Sequence, residues 1–386
     1  MRRTLSLTLL VLAAVGSGLL ASQVDAQSAS PANPTWTEEK SAPPRFQGEA
    51  NVNEVLLDVL VTDAKGNVIV GLDKSDFVVK ENGRPVDLTG VTFYSNRRFL
   101  QSEEALAKKG IDIDKVPENR YFILLFEDQK NANAEAPGLL SQQIEAGRRA
   151  KEWIEKDLLP NDYVAVASYD FKLKLQQDFT RDRAALTQAV SEAVQSKDLE
   201  RNWPSRIHKE EGPSLLAALP QGNSLRDRTA TIYDGLRQLA LAARGIVGRK
   251  NLILFTTGFG QVTSFGQYLP DPRYYPPMME ALNGSNMAVY AVDLVPTGTQ
   301  HIMASAMNQL AADTGGQYLF NFTNFINPLR KLERENNGYY LLSYQASHPG
   351  EKAGFQKVEV KASNPEFRVR TRQGYKFGEP EADKSR

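Results

Sequence analysis

The side chains in this 386-residue chain that could do chemistry gather at the ends of apolar runs. Glu127 and Asp128 follow residues 121–126, Thr256-Thr257-Gly258 follows 251–255, and Asp293 follows 287–292. Two neighbouring carboxylates are raw material for general acid–base work. Adjacent residues leaving a strand point to opposite faces, however, so Glu127 and Asp128 do not read as a cooperating pair. Asp293 either caps the turn that follows or lines a crevice at its strand's end. His208, His301 and His348 stand far apart with no ligand spacing, and His301, without a partner, is expected at the surface. The absence of cysteine excludes disulfides, thiolate nucleophiles, Cys-ligated zinc and an acylated lipoprotein Cys. No Gly-x-Ser-x-Gly elbow, phosphate loop, His-Glu-x-x-His or nucleotide fingerprint occurs in the context it needs. The chain is therefore not expected to be an enzyme, and a hydrolase is the last choice.

Recognition is better served. Phe259, Phe265, Tyr268, Tyr274 and Tyr275 lie among the glycines and prolines of residues 258–277. Such rings are either exposed recognition anchors or a loop packed onto its own domain, and the sequence leaves both open. Residues 197–228, with Trp203, form a weaker candidate of the same kind. Arg148, Arg149 and Lys151 are balanced on a helix by Glu145, Glu152 and Glu155. Lys+Arg 46 against Asp+Glu 46 leaves no general pull on nucleic acid or anionic lipid.

Residues 1–26 read as an export signal. Arg2 and Arg3 precede an apolar stretch, and Val24-Asp25-Ala26 forms a cleavage site before Gln27. The protein is expected to be secreted or periplasmic, with no membrane span once the signal is removed. Residues 27–48 form a flexible leader. Residues 49–96 hold short strands: Val55, Leu57, Val59 and Val61 alternate along one, residues 68–70 return beside it, and Asn82-Gly83 favours a tight hairpin. Residues 97–118 are a charged linker. From 119 to 336 strands and helices alternate, which implies a mostly parallel sheet with helices on both faces and ligands at its carboxyl edge. Within it, Phe171, Leu173 and Leu175 alternate with Lys172, Lys174 and Gln176 as in an edge hairpin, and Thr180 is placed to cap a helix. Residues 337–378 are again all-β, before a tail at 379–386. Pairing of the two β-rich halves into one β-sandwich would bury both.

The central block resembles a von Willebrand factor A (VWA) domain. The resemblance lies in residues 121–126, 161–169, 248–255, 286–293 and Leu310-Ala311-Ala312-Asp313-Thr314-Gly315-Gly316. The flanks resemble secreted bacterial von Willebrand factor A-related domain proteins, through Val61-Thr62-Asp63, Gly71-Leu72, Asp76-Phe77, Glu81-Asn82-Gly83, residues 339–344 and Arg372-Gln373-Gly374-Tyr375. This implies an α/β, Rossmann-like VWA domain flanked by N- and C-terminal strands that form a β-sandwich. It also implies a non-enzymatic module presenting loops, with Asp293 beside the aromatic set, to a protein partner. Family members hold a divalent metal with Asp-x-Ser-x-Ser, a loop Thr and an Asp in Thr-Asp-Gly. Here the first segment reads Glu127-Asp128-Gln129-Lys130-Asn131, Thr257 replaces the last Asp, and the loop residue is Thr229 or Thr231. Mg²⁺ is strict about its oxygen octahedron, so an incomplete site and no cofactor are expected, with Lys130 able to supply the charge. The alternative is a Mg²⁺- or Mn²⁺-dependent adhesion domain using Glu127, Asp128, Gln129, Asn131, Thr229 and Thr257.

Overall fold

The computed structural model describes residues 54–95, 119–128, 138–195, 197, 212–265, 267–298, 301–346 and 353–378. The expected signal, leader, linker and tail lie outside the described residues, as do Gln129, Lys130, Asn131, Trp203, His208 and His348.

The chain runs β1 (Glu54–Thr62), β2 (Phe77–Glu81), β3 (Arg84–Val86), β4 (Leu88–Ser95), β5 (Arg120–Glu127), α1 (Gly138–Lys156), β6 (Asp162–Tyr169), β7 (Leu173–Thr180) and α2 (Arg183–Val194). It continues α3 (Gly222–Asp227), α4 (Ile232–Ala242), β8 (Lys250–Thr256), β9 (Gln261–Val262), β10 (Tyr268–Leu269), α5 (Tyr275–Gly284), β11 (Met287–Asp293) and α6 (Ala304–Asp313). It closes with β12 (Gln317–Leu319), α7 (Ile326–Glu335), β13 (Gly338–Gln345), β14 (Ala353–Ala362), β15 (Arg368–Arg370) and β16 (Gly374–Gly378).

Six strands form the central sheet in the order β12-β11-β8-β5-β6-β7, all parallel except the edge strand β7. Strand β5 shows why helices must cover both sides. Tyr121, Ile123 and Leu125 belong to the core on one face, and Phe122, Leu124 and Phe126 to the core on the other. A strand apolar on both pleats gains nothing from a solvated face, and burying each side chain is worth about 1.5–3 kcal/mol. The first face is covered by α4 and α5, with Leu236, Leu239 and Met278 buried. The second is covered by α1, α2 and α7, with Trp153, Val190 and Leu329 buried. The order reverses between β5 and β8, and the next helices, α1 and α5, cover opposite faces; this is the switch point of a doubly wound sheet.

The flanking strands form two four-stranded sheets, β15-β1-β13-β4 and β16-β14-β2-β3, around a shared core that includes Leu57, Val79, Tyr340 and Val358. Each sheet mixes strands from both ends of the chain. Asn82 and Gly83 both take positive φ, 48° and 80°, as the expected tight hairpin requires. The sandwich is fastened to the α/β unit by Arg372, which donates to the Asn283 carbonyl at 2.8 Å and to the Leu56 carbonyl at 2.7 Å, and by an Asn286–Asp58 hydrogen bond.

Four local expectations need correction. Residues 68–70 contribute a single bridge, Val68 to Thr62, in place of a strand. Asp182, not Thr180, caps α2, because its carboxylate accepts the Ala184 and Ala185 amides; the Thr180 hydroxyl accepts the Asp182 amide. Lys174 is buried on the edge strand and paired with Asp170 at 2.9 Å. The described part of the 197–228 stretch is also ordered: α3 carries Leu225 into the core beside Leu215 and Leu219, and the Asp178 carboxylate holds Ser214, Leu215 and Leu216.

Truncating Leu124, which is wholly buried, leaves a cavity that the rigid sheet cannot close. Leu124→Ala is expected to lose about 2–5 kcal/mol in urea or guanidinium unfolding, with an unchanged m-value.

Candidate functional site

The site forms where β5, β8 and β11 end. Glu127, the last residue of β5, accepts a hydrogen bond from the Thr256 hydroxyl at the end of β8, across the switch point. Thr256 Oγ1 in turn accepts the Gly258 amide at 2.8 Å. A relay thus runs from the backbone after β8, through Thr256, to the Glu127 carboxylate. Burial pushes the Glu127 carboxyl up to about 7, and the Thr256 hydrogen bond opposes that only in part. Behind this pair the rings of Phe126 and Phe255 stack at 4.5 Å. The Asp128 amide donates to the Tyr169 carbonyl at the end of β6.

A second tie joins β8 to β11. The His301 Nε2 lies 2.7 Å from the Thr257 carbonyl, and its Nδ1 lies 2.7 Å from Asp293 Oδ2. The Tyr318 hydroxyl donates to the same Asp293 oxygen at 2.6 Å. Both ring nitrogens face acceptors, so the arrangement favours the imidazolium. Burial alone would lower the His301 pKa, but the Asp293 carboxylate and the Thr257 carbonyl outweigh it and hold it above the ordinary value. Burial and the bond to Asp293 raise the Tyr318 phenol. Asp293 also accepts the Val295 amide at 2.8 Å, so it caps its own turn. His301 is therefore not the unpartnered surface residue expected: it is part-buried and bonded at both nitrogens. The sequence signal was an aspartate eight residues ahead, across a Pro/Gly turn.

Between these ties the chain leaves β8 through Gly258, whose φ of 91° suits glycine and whose missing Cβ leaves room for Met303, 2.4 Å from where that carbon would sit. Phe259 then packs edge-on against Tyr233 at 5.0 Å, and Tyr274 stacks on the same ring at 6.0 Å. Strands β9 and β10 pair Tyr268 with Val262 and Leu269 with Gln261, so part of the expected loop is a small hairpin. Tyr275 is buried and donates to Asp313 at 2.7 Å. At the tip, the Thr263 hydroxyl accepts the amides of Phe265 and Gln267, and Phe265 stands 90% exposed. The aromatic set thus divides: Phe259, Tyr268, Tyr274 and Tyr275 pack, and Phe265 projects.

Of the residues that the resemblance implies as metal ligands, Gln129 and Asn131 lie outside the described residues, and the others are placed as follows. Thr229 is wholly buried; its hydroxyl donates to the Leu225 carbonyl at 2.7 Å and accepts the Leu173 amide at 3.0 Å. Thr231 caps α4. Thr257 meets His301 through its carbonyl. Among the described residues no three His, Cys, Asp or Glu side chains converge on a common point.

This strand order, with an antiparallel edge strand and helices on both faces, defines the class: a VWA-like α/β fold flanked by a β-sandwich. No family model matches the chain, and no curated protein does. Among solved structures it is similar to an aerotolerance-related membrane protein from Bacteroides fragilis NCTC 9343, at 12% identity over 56% of this chain and 98% of that one, TM-score 0.35. The conserved hypothetical protein BatB from Bacteroides thetaiotaomicron is similar at 14% identity over 56% and 96%, TM-score 0.34. The type V pili tip protein Mfa5 from Porphyromonas gingivalis matches at 12% over 68% and 56%, TM-score 0.36. No helix among the described residues is long and apolar enough to cross a membrane.

Glu127 has a pH signature. Its folded pKa, about 7, lies above the ordinary 4.5, so the fold holds a proton that the unfolded chain releases earlier. Its contribution is fully present below about pH 4.5 and is lost as pH rises through about 7. Glu127→Gln keeps the acceptor for Thr256 without the charge. Denaturant unfolding should find the variant close to the parent near pH 4.5 and about 1–3 kcal/mol more stable near pH 8.

Proposed function

We propose that the protein is an exported, non-enzymatic binding module that engages a protein partner through the carboxyl edge of its sheet without a complete metal site. The observation that carries this reading is Phe265: a large apolar ring, almost wholly exposed, on a hairpin whose base is held by the Glu127–Thr256 relay and the His301 bridge. An exposed aromatic on a pre-ordered hairpin binds at little entropic cost.

Other apolar side chains share that edge. Phe171, at the turn from β6 to β7, is 73% exposed and takes a positive φ of 58°, which a bulky residue rarely adopts. Ile302 and Phe320 are exposed near the ends of β11 and β12. Six strands about 4.8 Å apart spread these positions over about 24 Å, the width of a standard protein–protein patch of about 800 Å² per partner. General-base catalysis is poorly served, since neither nitrogen of His301 is left to receive a proton from a substrate.

The test is co-purification and crosslinking from envelope and culture fractions of the source organism. The expected outcome is a specific partner retained by the parent in excess EDTA and weakened at least about tenfold by Phe265→Ser, with the variant's unfolding midpoint unchanged. Retention lost in EDTA and restored by Mg²⁺ or Mn²⁺ would transfer the case to the cation-dependent adhesion reading.

A further inference from the structure

A second surface lies away from the aromatic hairpin. Strand β12 ends the six-stranded order and is bonded to β11 on one side. Its other side borders a groove of about 680 Å³, whose opposite wall is β14 and the crossing segment through β15 toward β16. Strand β14 pairs with β16 over Ala353–Lys357 and with β2 over Val358–Ala362, so beyond Lys357 the groove takes the place of β16 beside it. A parallel edge strand is normally covered, because its outward amides and carbonyls are a template for pairing.

The walls are cationic. Lys357, Lys361, Arg370 and Arg372 line the groove, with Glu359 the only carboxylate among its lining residues. Lys357 pairs with Glu359 at 3.1 Å, and Arg370 with Glu335 at 2.7 Å and the Gln317 side chain at 2.9 Å. Arg372 directs both terminal nitrogens to carbonyls, which does not cancel its charge, and its buried Nε has no partner; Asp58 supplies part of the counter-charge. Lys361 is exposed at the end of the row. Tyr318 joins this groove to the carboxyl edge, since its hydroxyl reaches Asp293.

We propose that this groove is a second docking site, which takes an extended acidic segment of a partner protein as a strand added to β12. Main-chain hydrogen bonds to the edge supply register, and carboxylates on alternate residues meet Lys357 and Lys361. The volume is of the order a peptide of about five residues fills. This site is distinct from the hairpin and stands or falls apart from it.

The test uses the mature chain and a blocked Glu-Val-Glu-Val-Glu-Val peptide, followed by calorimetry and by backbone amide NMR. The expected result is saturable binding that shifts the amides of residues 317–319 and 358–361. N-methylation of alternate peptide residues should weaken it at least about tenfold, because strand pairing needs those amides. Lys357→Glu with Lys361→Glu should weaken it similarly, with an unchanged unfolding midpoint, and a Lys-Val peptide of the same length should not bind. The proposal is overturned if millimolar acidic peptide leaves those amides unmoved, if N-methylation has no effect, or if the charge reversal has none.

Discussion

The structure depends on strand β5 being apolar on both pleats. Phe122, Leu124 and Phe126 face one core and Tyr121, Ile123 and Leu125 the other, and each loses nearly all contact with water. Helices must then cover both faces, and parallel neighbours joined by helical crossovers follow from that demand. Polar side chains are driven off the faces to the strand ends. Glu127, Thr256 and Asp293 each end a strand, so the place where chemistry is possible is set by where apolar burial stops.

At that edge hydrogen bonds link the strand ends. The ends of β5, β8 and β11 must be held together although each brings oxygen atoms. Thr256 donates to Glu127, and His301, facing acceptors at both nitrogens, draws Thr257 and Asp293 toward one ring. The first link tolerates a carboxyl whose pKa burial has lifted to about 7; in the second, the Asp293 carboxylate and the Thr257 carbonyl raise the His301 pKa. Both links meet at residues 256–258, where the aromatic hairpin begins.

The features read correctly from sequence are those written in local pattern. The double-sided apolar runs predict the parallel strands, Asn82-Gly83 predicts its hairpin, and the balanced charges of α1 pair as Arg148 with Glu145 and Arg149 with Glu145 and Glu152. What sequence hides is contact made across loops. His301 meets Asp293 only because the turn after β11 doubles back. Strands of two residues, β9 and β10, are too short for any periodicity to show. Asp182, rather than Thr180, is the cap because it stands directly before α2, where its Oδ1 accepts the free amides of both Ala184 and Ala185. Thr229 matches a ligand by type and place in the chain, but its hydroxyl is spent holding the α3 end to β7.

The sandwich bears on the edge through rigidity. A strand pair or a short sheet alone cannot bury its second face, and here each sheet needs strands from both ends of the chain to be complete. The α/β unit is therefore clamped at both its entry and its exit. Arg372 bonding to Asn283 and Leu56, and Arg370 bonding to Glu335 and Gln317, reach from the closing strands into the helices and edge strand of that unit. A scaffold fixed this way at its amino-terminal edge leaves sequence variation to the exposed tips of the carboxyl-edge loops, such as Phe265, while Phe259, Tyr274 and Tyr275 stay packed against the core.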